Sequence, residues 1–164
     1  MGKCISKKLD KYDPSKLNKL KPDIKHKVYV IKVYDGDTIT IVYTNESDKK
    51  VYKGSLRLRG IDAPEMRTKN KNEKEIALLA KDRLNKLVFN KYIRLEKVDY
   101  DKYGRILADI YVKNINISDL LIKERLGIKY DGGTKNIPND WKKYYQNGIM
   151  WVLNIIYMND KWQL

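Results

Sequence analysis

Three short clusters of acids and arginines constrain this chain more than any other feature, because each falls where a strand-like run ends. They are Asp35-Gly36-Asp37-Thr38, then Arg57 with Asp62-Ala63-Pro64-Glu65, then Asp101-Lys102-Tyr103-Gly104-Arg105. Val28–Tyr34 is rich in β-branched and aromatic residues and stops at the Asp35-Gly36 turn. Residues 38–43 repeat the pattern and close on Asn45-Glu46-Ser47-Asp48. A third strand over 51–59 alternates Leu56 and Leu58 with Arg57 and Arg59. With the leucines in the core, Arg57 faces outward beside Asp37.

Helical spacing follows. Asn72-Glu73-Lys74-Glu75 resembles a capping box for a helix near 72–88, with Ile76, Leu79, Ala80, Leu84 and Leu87 on one face. Strands near 91–98 and 106–112 flank the third cluster, and a shorter helix over Ser118–Leu126 is expected to stop at Gly127. Five strands, a helix after the third and a helix after the fifth predict an α+β fold: a five-stranded OB-fold-like β-barrel capped by helices. Residues 28–135 form this domain, 1–27 a basic flexible leader, and 136–164 a helical extension packed on the barrel. Asn139 or Asp140 is the expected cap of that extension, which contains Trp141, Tyr144, Tyr145 and Ile149.

Lys and Arg total 35 against 21 Asp and Glu, a net charge of +14, and that field favours polyanions such as nucleic acid or an acidic membrane surface. A genome rich in A and T would also raise Lys, Asn, Ile and Tyr, so charge corroborates such a partner without establishing it. A single cysteine, Cys4, excludes an internal disulfide. The single histidine, His26, argues against a zinc site or a histidine-based triad and reads as a solvated linker residue. Three carboxylates with two arginines suit another chemistry. The acids hold a hard divalent cation and activate water, and the arginines neutralise a phosphodiester as its charge builds.

The three clusters, in this order and approximate spacing, resemble the staphylococcal nuclease (thermonuclease) family over roughly residues 28–130. The matching stretches are Val33–Thr38, Arg57–Glu65 and Asp101–Ala108. The resemblance implies an SNase-like fold and a calcium-dependent endonuclease acting on single-stranded DNA and RNA with low sequence specificity. It implies that Asp37, Asp62 and the backbone carbonyl of Ala63 hold one Ca2+ ion, with Asp35 orienting Asp37 or a bound water. Glu65 is then the residue that positions water or acts as general base, and Arg57 and Arg105 the donors to phosphate oxygens. Lys102 and Tyr103 resemble residues that contact substrate; packing of Tyr103 on the barrel is the alternative. Residues 127–135 depart from the family's pattern, and Tyr130 is the substrate-contacting candidate there, with Lys135 beside it. A catalytically inactive OB-type nucleic-acid-binding module is the competing reading. Such domains typically lose these acids or arginines, and this chain keeps them. A monomer is expected.

Met1-Gly2-Lys3-Cys4-Ile5-Ser6-Lys7-Lys8 fits an N-myristoylation pattern at Gly2, with Cys4 placed for palmitoylation. Two acyl chains would make anchoring stable where one is marginal. The expectation is the cytoplasmic face of a membrane in a host with the transferase, and the cytoplasm otherwise. No early apolar run resembles a secretory signal, so secretion is not expected. The apolar stretch 149–158, broken by Asn154, is too short for a membrane span.

Overall fold

A computed structural model of the protein describes residues 21–148. Gly2, Cys4 and the apolar stretch 149–158 lie outside these residues. Strands β1 (Lys27–Val33), β2 (Thr38–Thr44) and β3 (Val51–Leu58) form an antiparallel meander. Alternation sends Val28, Val30, Ile39, Ile41, Leu56 and Leu58 into the core. The two-residue strand β4 (Ile61–Asp62) and the long helix α1 (Lys71–Val88) come next. Then β5 (Tyr92–Tyr100) pairs with β1, and β6 (Ile106–Val112) pairs with β5. The barrel closes where β6 runs parallel to β3, through Leu56↔Ile106, Arg57↔Leu107 and Leu58↔Ala108. This is a closed, five-stranded mixed barrel of the OB type with helices packed on it, as the sequence predicts. Short strands β7 (Ile115–Asn116) and β8 (Ile128–Lys129) flank helix α2 (Ile117–Lys123), and β8 pairs with β4.

Closure positions the chemistry. Thr38 pairs with Arg57 across β2 and β3, and Arg57 pairs with Leu107 across β3 and β6. The first cluster, the central arginine and the end of the third cluster thus meet at one rim of the barrel.

Several local expectations are corrected. The cap of α1 is Asn70, not Asn72: its side-chain oxygen accepts from Asn72 N (3.0 Å) and Glu73 N (3.2 Å). Asn72 lies inside the helix, and its amide donates to Asp140 Oδ2 at 3.2 Å. The buried stripe is Ile76, Ala77, Ala80, Leu84 and Val88, mostly at steps of four, which leaves Leu79 40% exposed beside it. Helix α2 ends at Lys123, with Glu124 as its C-cap, not at Leu126, in a Schellman turn. Arg125 N donates to Ile122 O, Leu126 N donates to Leu121 O, and Arg125 takes the left-handed position at φ 56. Gly127 serves close packing instead: a Cβ there would lie 2.6 Å from Ile61 Cδ1 and 3.2 Å from Asp62 O. His26 is exposed, yet it is tied to the barrel: its carbonyl accepts from Leu95 N at 2.6 Å and its Nδ1 lies 3.1 Å from Leu95 O.

Residues 141–148 are helical, with Asp140 Oδ1 accepting from Lys143 N at 3.1 Å. Trp141 is buried in the core cluster, with Tyr144 and Tyr145 packed partly against it. Arg125 Nη1 donates to Tyr144 O at 3.0 Å and secures the helix to the barrel.

Candidate active site at the barrel rim

Asp37 sits at the entry to β2, in a loop pressed close to the body of the protein. Gly36 permits this, since a Cβ there would lie 2.7 Å from Ala63 Cβ and 2.9 Å from Ala80 Cβ. Asp35 Oδ1 accepts from Asp37 N at 3.1 Å, so Asp35 orients its neighbour through the backbone and not through the carboxylate. Asp37 Oδ1 accepts from Arg57 Nη1 (3.0 Å) and Thr38 Oγ1 (2.9 Å), while Oδ2 accepts from Ala63 N (3.2 Å). Arg57 Nη2 donates to Asp62 Oδ1 at 2.9 Å and to Ile61 O at 3.3 Å. One guanidinium therefore joins the two carboxylates. Its fork is turned to these acids first, where the sequence alone suggested an open, bidentate phosphate donor.

Asp37 and Asp62 are each 4% exposed. Burial pushes the Asp37 carboxyl up to about 6, with Asp35's charge adding to the rise and Arg57 pulling against it. Lys135 Nζ lies 2.9 Å from Asp62 Oδ1, giving that carboxylate a second cation. Burial works against the charge on Lys135, but the bond to Asp62 and the charges of Asp62 and Glu65 outweigh it and raise its pKa.

The remaining candidates line the same cleft, about 840 Å³ in volume, with Asp37 and Arg57 in its wall. Glu65 is exposed on the turn set by Pro64, and its N–H donates to Glu73 Oε1 at 3.1 Å. Arg105 is held by its own hairpin: Nε donates to Asp101 Oδ2 (2.6 Å) and its N–H to Asp101 Oδ1 (2.9 Å). Burial acts to raise the Asp101 carboxyl, but these bonds outweigh it and hold the carboxyl below its ordinary value. The terminal nitrogens of Arg105 make no hydrogen bond to a described residue, so its outer edge is available to an anion. Tyr103 is 73% exposed over the cleft, which removes the reading that it packs on the barrel. Lys102 Nζ stands 5.1 Å from the Tyr103 ring and Lys135 Nζ 5.6 Å from the Tyr130 ring. Tyr130 N donates to Gly60 O at 3.0 Å, which brings that ring to the cleft beside β4.

Two partnerships escape sequence reading, though both residues are named there. Asp101 holds Arg105 four residues on, a spacing that could have flagged the pair, and Lys135, a substrate-contact candidate, instead sits on Asp62, which no periodic signal would show.

The side-chain donors gathered here are hard oxygens, those of Asp37 and Asp62, and Ala63, whose carbonyl the resemblance adds, is held against Asp37 through its N–H. No described residue donates a hydrogen bond to Asp62 Oδ2. That set fits a hard divalent cation. No group of three or more His, Cys, Asp or Glu side chains among the described residues is arranged to hold a metal. A cation here would therefore draw much of its shell from backbone oxygen, water or substrate.

An OB-type barrel with an acid–arginine site on its rim is the class that fold and geometry define. The chain matches the family described as staphylococcal nuclease homologue over residues 55–147, and it belongs to that family. It is 29% identical to a probable endonuclease of Schizosaccharomyces pombe, covering 63% of this chain and 55% of that protein. Endonuclease YncB of Bacillus subtilis is 33% identical, over 65% of this chain and 50% of its own length. Thermonuclease of Staphylococcus hyicus is 34% identical, over 59% and 55% respectively. The chain spans about half the length of these curated relatives.

Proposed function

We propose that this protein is a calcium-dependent nuclease that hydrolyses phosphodiester bonds of single-stranded DNA and RNA with little sequence preference. One observation carries the reading: Arg57, in the wall of a cleft that also holds Asp37, Glu65 and Arg105, joins two buried carboxylates, Asp37 and Asp62. The relatives' names as endonucleases and a thermonuclease support it.

Hydrolysis adds water to phosphorus and breaks one P–O ester bond, through a state with extra negative charge on the phosphoryl oxygens. Glu65, exposed beside the cleft, accepts hydrogen bonds from the attacking water and takes or directs its proton. Arg105 offers its two terminal nitrogens to the phosphoryl oxygens, with Asp101 fixing the plane of the guanidinium. Arg57 balances Asp37 and Asp62, and offers its remaining N–H groups to the same oxygens as charge builds. Asp37, Asp62 and the Ala63 carbonyl would hold the calcium ion, which supplies positive charge near the phosphate and lowers the pKa of water. Lys102, Tyr103 and Tyr130 give phosphate and base contacts that any unpaired nucleotide can use.

Cleavage of labelled single-stranded DNA and RNA by purified protein, with calcium, with magnesium alone and with excess chelator, tests this. Arg57→Ala and Glu65→Gln run alongside. The expected result is calcium-dependent cutting reduced about 10²–10⁴-fold in Glu65→Gln with nucleic-acid binding retained. Binding without cutting in any metal would replace the proposal with an OB-type binding module.

A further inference from the structure

The outer face of the barrel carries a second concentration of aromatic and cationic side chains, outside the cleft. Val28, Ile93 and Ile110 point into the core, so their neighbours on β1, β5 and β6 point out. Lys27 pairs with Arg94 and Arg94 with Tyr111, forming one cross-strand row; Tyr29 and Tyr92 form the next. Arg94 lies 4.5 Å from the Tyr111 ring centre and Lys27 Nζ 5.0 Å from that of Tyr92. The Tyr29 and Tyr92 rings are 5.0 Å apart and tilted by 59°, and Tyr92 is 64% exposed.

This cluster continues the cleft. Leu107, Asp109 and Tyr111 share one side of β6; Leu107 lines the cleft, Tyr111 is half-buried, and Asp109 between them is buried. Tyr111 lies four residues further on, about 13 Å at the rise of a strand. The acids along the way are matched. Lys97 Nζ lies 3.1 Å from Asp109, and Arg94 pairs with Glu96. Arg59, in the cleft wall, bonds the backbone carbonyls of Lys97 and Leu107 and pairs with no acid among the described residues. Lys27 makes no ion pair with a described residue. An exposed ring, that of Tyr92, in a row of rings and cations already stacked on one another, suits a base that stacks and phosphates that need countercharge.

We propose that this face is a second binding site for single-stranded nucleic acid, holding the length of strand that leaves the cleft past Leu107. The proposal rests on the cleft being a nuclease site. It makes grip depend on strand length: a short oligonucleotide uses the cleft alone, and a longer one reaches Tyr111, Tyr92 and Lys27.

The test is fluorescence anisotropy of the full chain with labelled dT4 and dT16 in excess chelator, so that binding is read without cleavage. Tyr92→Ala with Tyr111→Ala should weaken dT16 tenfold or more and leave dT4 within twofold. Phe at both positions should restore dT16 binding, separating missing ring faces from misfolding. Lys27→Ala, which removes the cation that no described acid pairs with, should flatten the dependence of log K on log salt for dT16 by about 0.7, one phosphate no longer neutralised. Affinity for dT16 within twofold of wild type in the alanine variant would overturn the proposal, as would equal weakening on both lengths. Wild-type protein that shows this length dependence but cuts nothing when calcium is restored would keep the second site and remove the nuclease reading.

Discussion

Replacing Arg57 by Ala strands two carboxylates that the fold has buried, and the cost can be worked from their surroundings. Asp37 and Asp62 keep only 5% and 6% of their side-chain surface in water, and Arg57 17%. Removing one partner of a buried ion pair typically costs about 3–5 kcal/mol, because the charge left behind is neither paired nor hydrated. Here Asp37 retains Ala63 N and Thr38 Oγ1, and Asp62 retains Lys135, so about 3 kcal/mol at pH 8 is the expected loss. The loss should depend on pH with a definite sign. In wild type the folded-state pKa of Asp37 is about 6 against 3.8 ordinarily, so between these values the native state holds a proton that the unfolded chain releases. That group alone therefore lowers stability as pH rises through the window, by about 3 kcal/mol in total. Without Arg57 the folded-state pKa rises further, and the deficit relative to wild type shrinks as pH falls toward 6, at up to about 1.4 kcal/mol per unit. Urea unfolding followed by circular dichroism at pH 5, 6, 7 and 8, in chelator, measures this. A loss below about 1 kcal/mol at pH 8, or one that grows on acidification, would refute the account of Arg57 as the counter-ion of both acids.

A cation held by Asp37 needs its carboxylate ionised. Calcium affinity by calorimetry should accordingly be near its plateau at pH 7.5 and fall about tenfold per unit once pH drops below 6; a flat profile from pH 5 to 7.5 would remove Asp37 from the ligand set. Gly127→Ala drives a methyl into Ile61 and toward the Asp62 carbonyl, and should cost about 1–3 kcal/mol in urea unfolding and weaken calcium binding by displacing Asp62. For the leader, anchoring through Gly2 and Cys4 is proposed on the sequence pattern alone. Gly2→Ala should then move the protein from the membrane to the soluble fraction of its host's cells, and unchanged fractionation would dismiss the anchor.

The site was legible where local chemistry forces a choice. Leucines at 56 and 58 leave Arg57 no direction but outward, and a turn at Asp35-Gly36 ends β1 just where Asp37 is needed. It was not legible where two similar residues compete or where the deciding contact is remote. Asn70 and Asn72 are equally good caps in isolation; the helical stripe and the reach of Asn72 to Asp140 select Asn70. Gly127 is the obvious terminator of α2 by residue type, yet the chain places Arg125 in the left-handed position and keeps the glycine for Ile61. That exchange has a functional consequence. Arg125, turned outward by the Schellman geometry, bonds Tyr144 O and secures the C-terminal helix, while Gly127 lets β8 close on β4 and hold Asp62 beside Arg57. The strain of a non-glycine residue at φ 56 is offset by packing on one side and by site geometry on the other. A cap-optimising Arg125→Gly substitution would thus relieve the backbone and loosen the helix that covers the barrel.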